Sequence, residues 1–371
     1  MAERHGLVAG DLDGFFSAPT HAYGPRSLYV SPMRADLARL LSRENPLFEG
    51  DDDFAYFTWY DQGVPRGRIT AHLHRASNEH YRIHRAYFGY FACADDPTAA
   101  EALLTAAEDW ARSRRCDEII GSFDLTAMQQ IGILTEGFDR TPYIDMQHNP
   151  EHLPRLLRDH GYRPRFPMST FETDLTTFDP ETLRGPAQRQ LMDGDELRWT
   201  LLTRRRFGHQ MEDVREVLND GFADNPMFVP LSSEEFAFQA GGLMWIVDSR
   251  LSCLAYAGSE PVGVVVCIPD LNPFLRATGS RLSIATPWHF LRHRLRRRRA
   301  VILFYSVARA WHGRGLAGAM LFRVTSALRS AGYTRLGTTW IADGNPASLR
   351  QMEKLGAERL HRLHLFVKEL T

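Results

Sequence analysis

Apolar and polar positions along this chain follow two distinct periods. Phe54–Tyr60 (FAYFTWY), Gly67–His74, Arg85–Ala92 (RAYFGYFA) and Val301–Val307 (VILFYSV) are short runs rich in aromatic and β-branched residues, with the length and texture of strands. Thr98–Arg114 instead places Ala99, Leu103, Ala106, Ala107 and Trp110 at helical spacing. Leu316, Met320, Leu321, Val324 and Leu328 repeat that spacing in the second half. The first half predicts a helix over 32–43, a hairpin turning at Asp61–Pro65, a strand over 85–92, the helix over 98–114, a strand over 118–121 and a helix over 152–160 ended by Gly161. Residues 1–25 read as irregular and 27–30 as a short strand.

The second half predicts the same order. A helix over 210–222 precedes a hairpin, 251–257 and 262–268, turning at Gly258–Pro261. Strand 301–307, a glycine-bearing turn and a helix follow. Then come a strand over 334–341, a turn at Asp343–Pro346, a helix over 347–355 ended by Gly356, and a last strand over 361–370. The shared order predicts two tandem copies of one α/β unit, each a mixed sheet flanked by helices. Pro and Gly cluster at Phe178–Pro186, which sets the expected domains at 1–180 and 181–371.

With 371 residues, 44% hydrophobic and 24% charged, the composition is that of an ordinary globular protein of about two domains. A formal net charge of −1 provides no global field for nucleic acid or acidic lipid. Cys93, Cys116, Cys253 and Cys267 form no CxxC pair and no metal spacing, and two of them sit in apolar strand patterns; buried thiols and a reducing, cytoplasmic setting are expected. The first residues lack the apolar core of a signal peptide, and no segment has the apolar length of a membrane span.

The sharpest chemistry lies at His312-Gly313-Arg314-Gly315-Leu316-Ala317-Gly318, between strand 301–307 and the helix that follows. A strand, a glycine turn and a helix start aim several free N–H groups at one point, and the helix dipole adds partial positive charge there. That arrangement binds a phosphate or diphosphate.

These residues resemble the phosphate loop of the GNAT superfamily of N-acyltransferases, which reads Arg or Gln, two residues, Gly, one residue, then Gly or Ala. Asn345 and Lys354-Leu355-Gly356-Ala357 resemble that superfamily's next marker. Glu44–Glu49, Gly132–Asp139 and Ile268–Asn272 are similar to segments of a bacterial family of tandem GNAT-like chains. The resemblance implies an acyl-coenzyme A or an acyl-phosphopantetheine co-substrate and no metal. It implies a parallel strand pair that splays at Val307, main-chain contacts from Ser306 and Val307 to a pantetheine arm, a diphosphate held at 313–318, a charge-assisted contact from Arg314, and a hydrogen bond or helix cap from Asn345. His312 departs from the motif, its part in the loop being carried mainly by backbone. Met352 stands where many members have a Tyr acid, and methionine has no proton to donate. The first copy carries Ala94-Asp95-Asp96-Pro97 where the loop would be, so it reads as degenerate.

The reaction implied is direct attack of an amine on the thioester, with the acceptor, a small molecule or peptide, in a cleft between the halves. A base for the amine is sought among Asp270, at a strand end, and then His289 and Tyr305; Asp270 also reads as a turn former. His361 and His364 read as packing or surface residues. Arg292–Arg299 ends a predicted amphipathic helix over 287–295, packed through Trp288 and Leu291 if it is a plain helix end. The basic run fits docking of an acidic carrier protein near the loop, contact with a coenzyme phosphate, or RNA or an anionic membrane surface; overall neutrality argues against extended nucleic-acid binding. The aromatics of 56–60 and 87–91 read as strand core, or as one wall of an apolar tunnel. Aminoacyl transfer from charged tRNA and a non-catalytic acyl-coenzyme A-binding role are the rival readings.

Overall fold

The computed structural model describes residues 5–50, 52–225 and 227–370. In chain order the first elements are β1 (Gly6–Ala9), α1 (Leu12–Tyr23), α2 (Arg34–Leu40), β2 (Phe54–Asp61), β3 (Val64–His72), α3 (Arg75–Tyr81), β4 (Arg85–Cys93), α4 (Pro97–Ser113), β5 (Glu118–Gly121), β6 (Ile133–Glu136), α5 (His152–Asp159) and β7 (Arg163–Asp174). They are followed by α6 (Pro186–Asp193), β8 (Arg198–Leu201), α7 (Phe207–Gly221), α8 (Ser233–Ala240), α9 (Leu243–Ile246), β9 (Cys253–Ala257), β10 (Glu260–Pro269), α10 (Asn272–Thr278), α11 (Thr286–Arg296), β11 (Arg299–Val307), α12 (Leu316–Ser330), β12 (Arg335–Ala342), α13 (Pro346–Lys354) and β13 (Glu358–Glu369).

Two compact units divide the chain. One takes the residues up to Ser169, Phe274–His289 and the segment from His361 onward; the other takes Thr170–Pro273 and Phe290–Leu360. In the first, strands run β1-β2-β3-β4-β5-β13, with β6 also on β13. Every pairing there is antiparallel except β4 with β5. In the second they run β8-β9-β10-β11-β12, antiparallel except β11 with β12. Each unit thus has a hairpin, a further antiparallel strand and one parallel pair joined by a crossover helix, α4 or α12. The repeat read from element order is present in the strand pairing.

Local chemistry explains these elements. Gln62 and Gly63 both take positive φ, 47° and 77°, the two-residue turn that matches strand twist in the β2–β3 hairpin. The Asp96 carboxylate accepts the Thr98 amide at 2.9 Å and Pro97 takes the first position of α4. The α4 stripe Ala99, Leu103, Ala107 and Trp110 is buried on the first sheet, and α1 packs on β3 and β4. Tyr87, Phe88, Tyr90 and Phe91 are therefore buried core, covered from both sides. In the second unit, α12 and α7 both pack on β10 and β11.

Residues 1–25 are less irregular than expected. β1 has only four residues, and α1 carries Gly14 and Pro19, which hide its period. Gly14 is required there: a Cβ would lie 2.2 Å from the Tyr60 hydroxyl, which itself donates to the Asp11 carboxylate at 2.6 Å. Residues 27–30 form no strand.

Candidate functional site

β11 and β12 pair in parallel only from Arg299↔Arg335 to Ile302↔Thr338. β11 continues to Val307 and β12 to Ala342, so the strands part after Ile302 and leave a wedge between them. A register shift opposite Val266/Cys267 leaves Leu303 as the extra residue of a bulge at the wedge's apex. Ala308 donates its N–H to Val262 at 2.9 Å, while Ser306 stands opposite Val264 and Phe304 opposite Val266. Strand alternation therefore turns the main chain of Phe304 and Ser306 toward β10. The main chain of Tyr305 and Val307 faces the wedge. Thr339 Oγ1 reaches the Leu303 carbonyl at 3.5 Å.

This corrects two expectations. The parting begins after Ile302 rather than at Val307. Ser306 faces the wrong way for a pantetheine contact through its main chain, and its hydroxyl donates to the Val217 carbonyl at 3.2 Å. The strand end is fixed from α7: a Cβ on Gly221 would lie 2.1 Å from Ser306 Oγ and 2.6 Å from the Val307 carbonyl oxygen, so only glycine allows this approach.

Beyond Val307 the chain turns through a short 3-10 segment, Arg309–Trp311, and then Gly313 and Gly315 at φ 75° and 91°. Left-handed backbone at both positions is what glycine permits. Gly315 is the N-cap of α12 and has no side chain with which to cap it. The amides of Gly313, Gly315 and Leu316 donate to no backbone carbonyl among the described residues, and those of Ala317 and Gly318 lie in the first helical turn, where no intrahelical partner exists. Five N–H groups and a helix dipole thus meet beyond the end of the wedge.

The side chains of the loop are anchors. His312 Nε2 donates to the Val307 carbonyl at 2.9 Å. Arg314 pairs with Glu196 at 2.9 Å and lies 4.1 Å over the Trp311 ring, so it is committed within the protein rather than extended toward a ligand. Arg309 binds Asp220 through its amide at 2.6 Å and through its guanidinium at 3.0 Å. Burial opposes the charge on Asp220, and these two Arg309 contacts outweigh it and hold the carboxyl below its usual range. Gln188 of α6 donates to the Gly315 carbonyl at 3.3 Å. Asn345 caps α13, accepting the Ser348 amide at 3.0 Å. Gln188, Gly221, Asp220 and Glu196 were not foreseen. They lie far away in sequence and carry no local pattern.

The equivalent place in the first unit is closed. β4 and β5 pair as far as Phe88↔Gly121, and then Phe123 donates its amide to Phe88 at 2.8 Å. The Asp124 carboxylate takes the Tyr90 amide at 2.7 Å and the Gln147 side chain at 2.9 Å. Burial pushes the Asp124 carboxyl up to about 6. The turn after β4 offers little: Asp96 caps α4, Asp95 pairs with Arg155, and Pro97 has no N–H.

The three proposed catalytic side chains are not gathered at the wedge. Asp270 is nearly fully buried, accepts the Asn272 amide at 3.1 Å and lies 3.4 Å from Arg299. It sits at the start of β11, eight residues and about 26 Å along the strand from Val307. The ion pair and the turn explain it. Tyr305 packs with the core that contains Cys253 and Val265; its hydroxyl has no hydrogen-bond partner among the described residues, and burial holds its pKa far above the usual phenol range. His289 lies on α11, which leads into the starting end of β11. Met352 is buried in the core. His361 Nε2 meets the Arg140 carbonyl at 3.1 Å and His364 meets Thr135 at 3.0 Å, both packing roles. The Arg292–Arg299 run lies at the end of β11 opposite the loop, so it does not flank it; Arg297 pairs with Asp248 at 2.6 Å. A cavity of about 620 Å³ opens beside Asp174, Arg335 and Glu358, at the start of β12 and likewise away from the loop.

The sequence profile of the Acetyltransferase (GNAT) family matches residues 211–357, which span β11, the loop, α12 and α13. The chain carries a GNAT domain over that stretch. It is an enzyme of the N-acyltransferase type. The Escherichia coli (strain K12) protein YghO is 28% identical over 98% of this chain and 94% of its own. A bacterial ceramide synthase of Caulobacter vibrioides (strain NA1000 / CB15N) is 26% identical over 97% and 95%. Among solved structures, a tandem GNAT protein from the clavulanic acid biosynthesis pathway superposes with a TM-score of 0.60, 13% identity, 98% of this chain and 99% of that one. A GCN5-related N-acetyltransferase from Sphaerobacter thermophilus gives 0.53, 15%, 100% and 97%. The fold is that of a tandem GNAT protein.

Proposed function

We propose that the second unit binds an acyl thioester of the phosphopantetheine type, an acyl-coenzyme A or an acyl carrier protein, and passes its acyl group to an amine. The observation that carries this is the stretch of β11 beyond Ile302 that leaves β12, together with the free amides of Gly313 and Gly315–Gly318 that lie beyond its end. A diphosphate fits the amides, and an amide-bearing arm fits the wedge-facing main chain of Tyr305 and the Val307 N–H, the Val307 carbonyl being held by His312. A thioester carbonyl in the wedge would be polarised by one of those N–H groups. The amine nitrogen attacks that carbon, the C–S bond breaks, and the amine's proton leaves with the thiolate to solvent. The thioester is already activated, so orientation and carbonyl polarisation carry more of the rate than a strong base.

The name of the Caulobacter relative favours, within this reading, a fatty acyl donor and a long-chain amine acceptor. The plugged wedge of the first unit supports its reading as a degenerate copy without a donor site. Four buried free cysteines support a reducing, cytoplasmic setting. The test is thiol release from acyl-coenzyme A of graded length and from acyl carrier protein, against a panel of amines. Release that depends on an amine and vanishes in Gly315→Glu supports the proposal. Coenzyme A binding without turnover of any amine would leave a binding protein, and ribonuclease-sensitive transfer would favour an aminoacyl-tRNA donor.

A further inference from the structure

α11 is amphipathic the wrong way round for a helix packed on a protein. None of its residues is buried. Trp288, Leu291 and Leu295 fall within about 60° of one another at 3.6 residues per turn, and they are 66%, 49% and 78% exposed. The chain just before the helix adds Leu282 at 70% and Ile284 at 102%. Thr286, Phe290 and His293 form the less exposed inner side. Five large apolar side chains thus project outward from one continuous segment, where packing through Trp288 and Leu291 had been expected. Isolated exposed apolar residues are ordinary; a grouped set marks a docking surface.

The flanking charge says what docks there. Arg281–Arg299 contains no Asp or Glu. Arg292 and Arg296 border one side of the apolar stripe and Arg294 the other. These three and Arg298 make no ion pair among the described residues. We propose that this segment is an interfacial anchor that seats the protein on an anionic phospholipid bilayer, with Trp288, Leu291 and Leu295 in the headgroup–acyl boundary and the arginines on lipid phosphates. Nucleic acid would use the arginines but has no role for the apolar stripe. A carrier protein docked here would sit at the end of β11 away from the loop. No described helix is long and apolar enough to cross a membrane, so the attachment is to the surface. The proposal rests on this segment alone and does not depend on acyl transfer.

The test is co-sedimentation of the full chain with vesicles of mixed phosphatidylglycerol and phosphatidylcholine, and with phosphatidylcholine alone, at low and high salt. Binding is expected only to the anionic vesicles and is weakened by salt. The combined Arg292→Gln/Arg294→Gln/Arg296→Gln variant should bind on the order of a hundred-fold more weakly, about fivefold per arginine. The combined Trp288→Glu/Leu291→Glu/Leu295→Glu variant should lose binding altogether, with an unchanged circular dichroism spectrum and unchanged coenzyme A affinity. Brominated lipid should quench tryptophan emission in the native chain, and Trp288→Phe should remove that quenching. Absence of binding to anionic vesicles at low salt would overturn the proposal, as would equal binding by the apolar triple variant. A dimer that the apolar triple variant splits, or capture of RNA or an acidic carrier protein by this face without vesicle binding, would also overturn it.

Discussion

Replacing Gly315 by alanine tests the loop with the smallest possible perturbation. Gly315 sits at φ 91°, where a Cβ would lie 2.8 Å from Gln188 Nε2 and 3.2 Å from the Ala187 Cβ. Left-handed backbone costs a non-glycine residue about 1–2 kcal/mol. Moving Gln188 also sacrifices its 3.3 Å bond to the Gly315 carbonyl, about 0.5–1.5 kcal/mol more. The expected loss of stability is therefore about 1.5–3.5 kcal/mol, a melting shift of roughly 3–14 °C for a unit of this size. Gly258→Ala is the matched control: φ is 61° and nothing lies within 4 Å of the added Cβ, so only the same backbone cost of about 1–2 kcal/mol applies. Calorimetric titration with coenzyme A should show at least a tenfold weaker Kd for Gly315→Ala, about 1.4 kcal/mol, and an unchanged Kd for Gly258→Ala. Equal affinities for the two variants would show that the loop amides do not hold the donor.

Three further outcomes follow from the packing and the charges. Gly89→Ala places a Cβ 1.7 Å from the Phe123 carbonyl oxygen, so the first unit should lose about 4 kcal/mol or more, read as a urea midpoint or as lost soluble expression. Burial opposes the charge on Glu108, but hydrogen bonds from His160 and Lys368 pull its carboxyl down to about 2; its contribution of about 3 kcal/mol is complete above the ordinary carboxylate value and is lost as pH falls from about 4.5 to 2. Melting curves of Glu108→Gln should lack that acid limb, and an identical pH profile would contradict the assignment. Asp270→Asn should destabilise by about 3 kcal/mol through the loss of the Arg299 pair, while thiol release per folded molecule stays within about threefold; a hundredfold fall in turnover with the fold intact would make Asp270 the base after all.

The parts of this molecule written in local sequence were the parts that could be read from it. The hairpin at Gln62-Gly63, the α4 stripe, the apolar β11 run and the glycines before α12 each owe their form to neighbours within a few residues. α1 escaped notice because Gly14 and Pro19 interrupt its period, and Gly14 is there for Tyr60, forty-six residues away. The wedge was placed too late because its position depends on where β12 stops pairing and on the bulge at Leu303, both of which are tertiary facts. Arg314 looked free, yet its partner Glu196 is 118 residues distant. Asp270 read as a candidate base or a turn former, and Arg299 decides the matter through a contact that no spacing announces. Trp288 and Leu291 were read as packing residues, because a helical apolar stripe does not say which side of it the protein occupies.

The central claim is that the main chain after Ile302 grips a pantetheine-type donor. A crystal structure of the full chain with coenzyme A tests it most directly. The account predicts the diphosphate on the amides of Gly313–Gly318 and the arm lying between Leu303–Val307 and Thr339–Ala342. Coenzyme A seated instead on the first unit beside Asp124, or bound with its diphosphate away from Gly315, would contradict it.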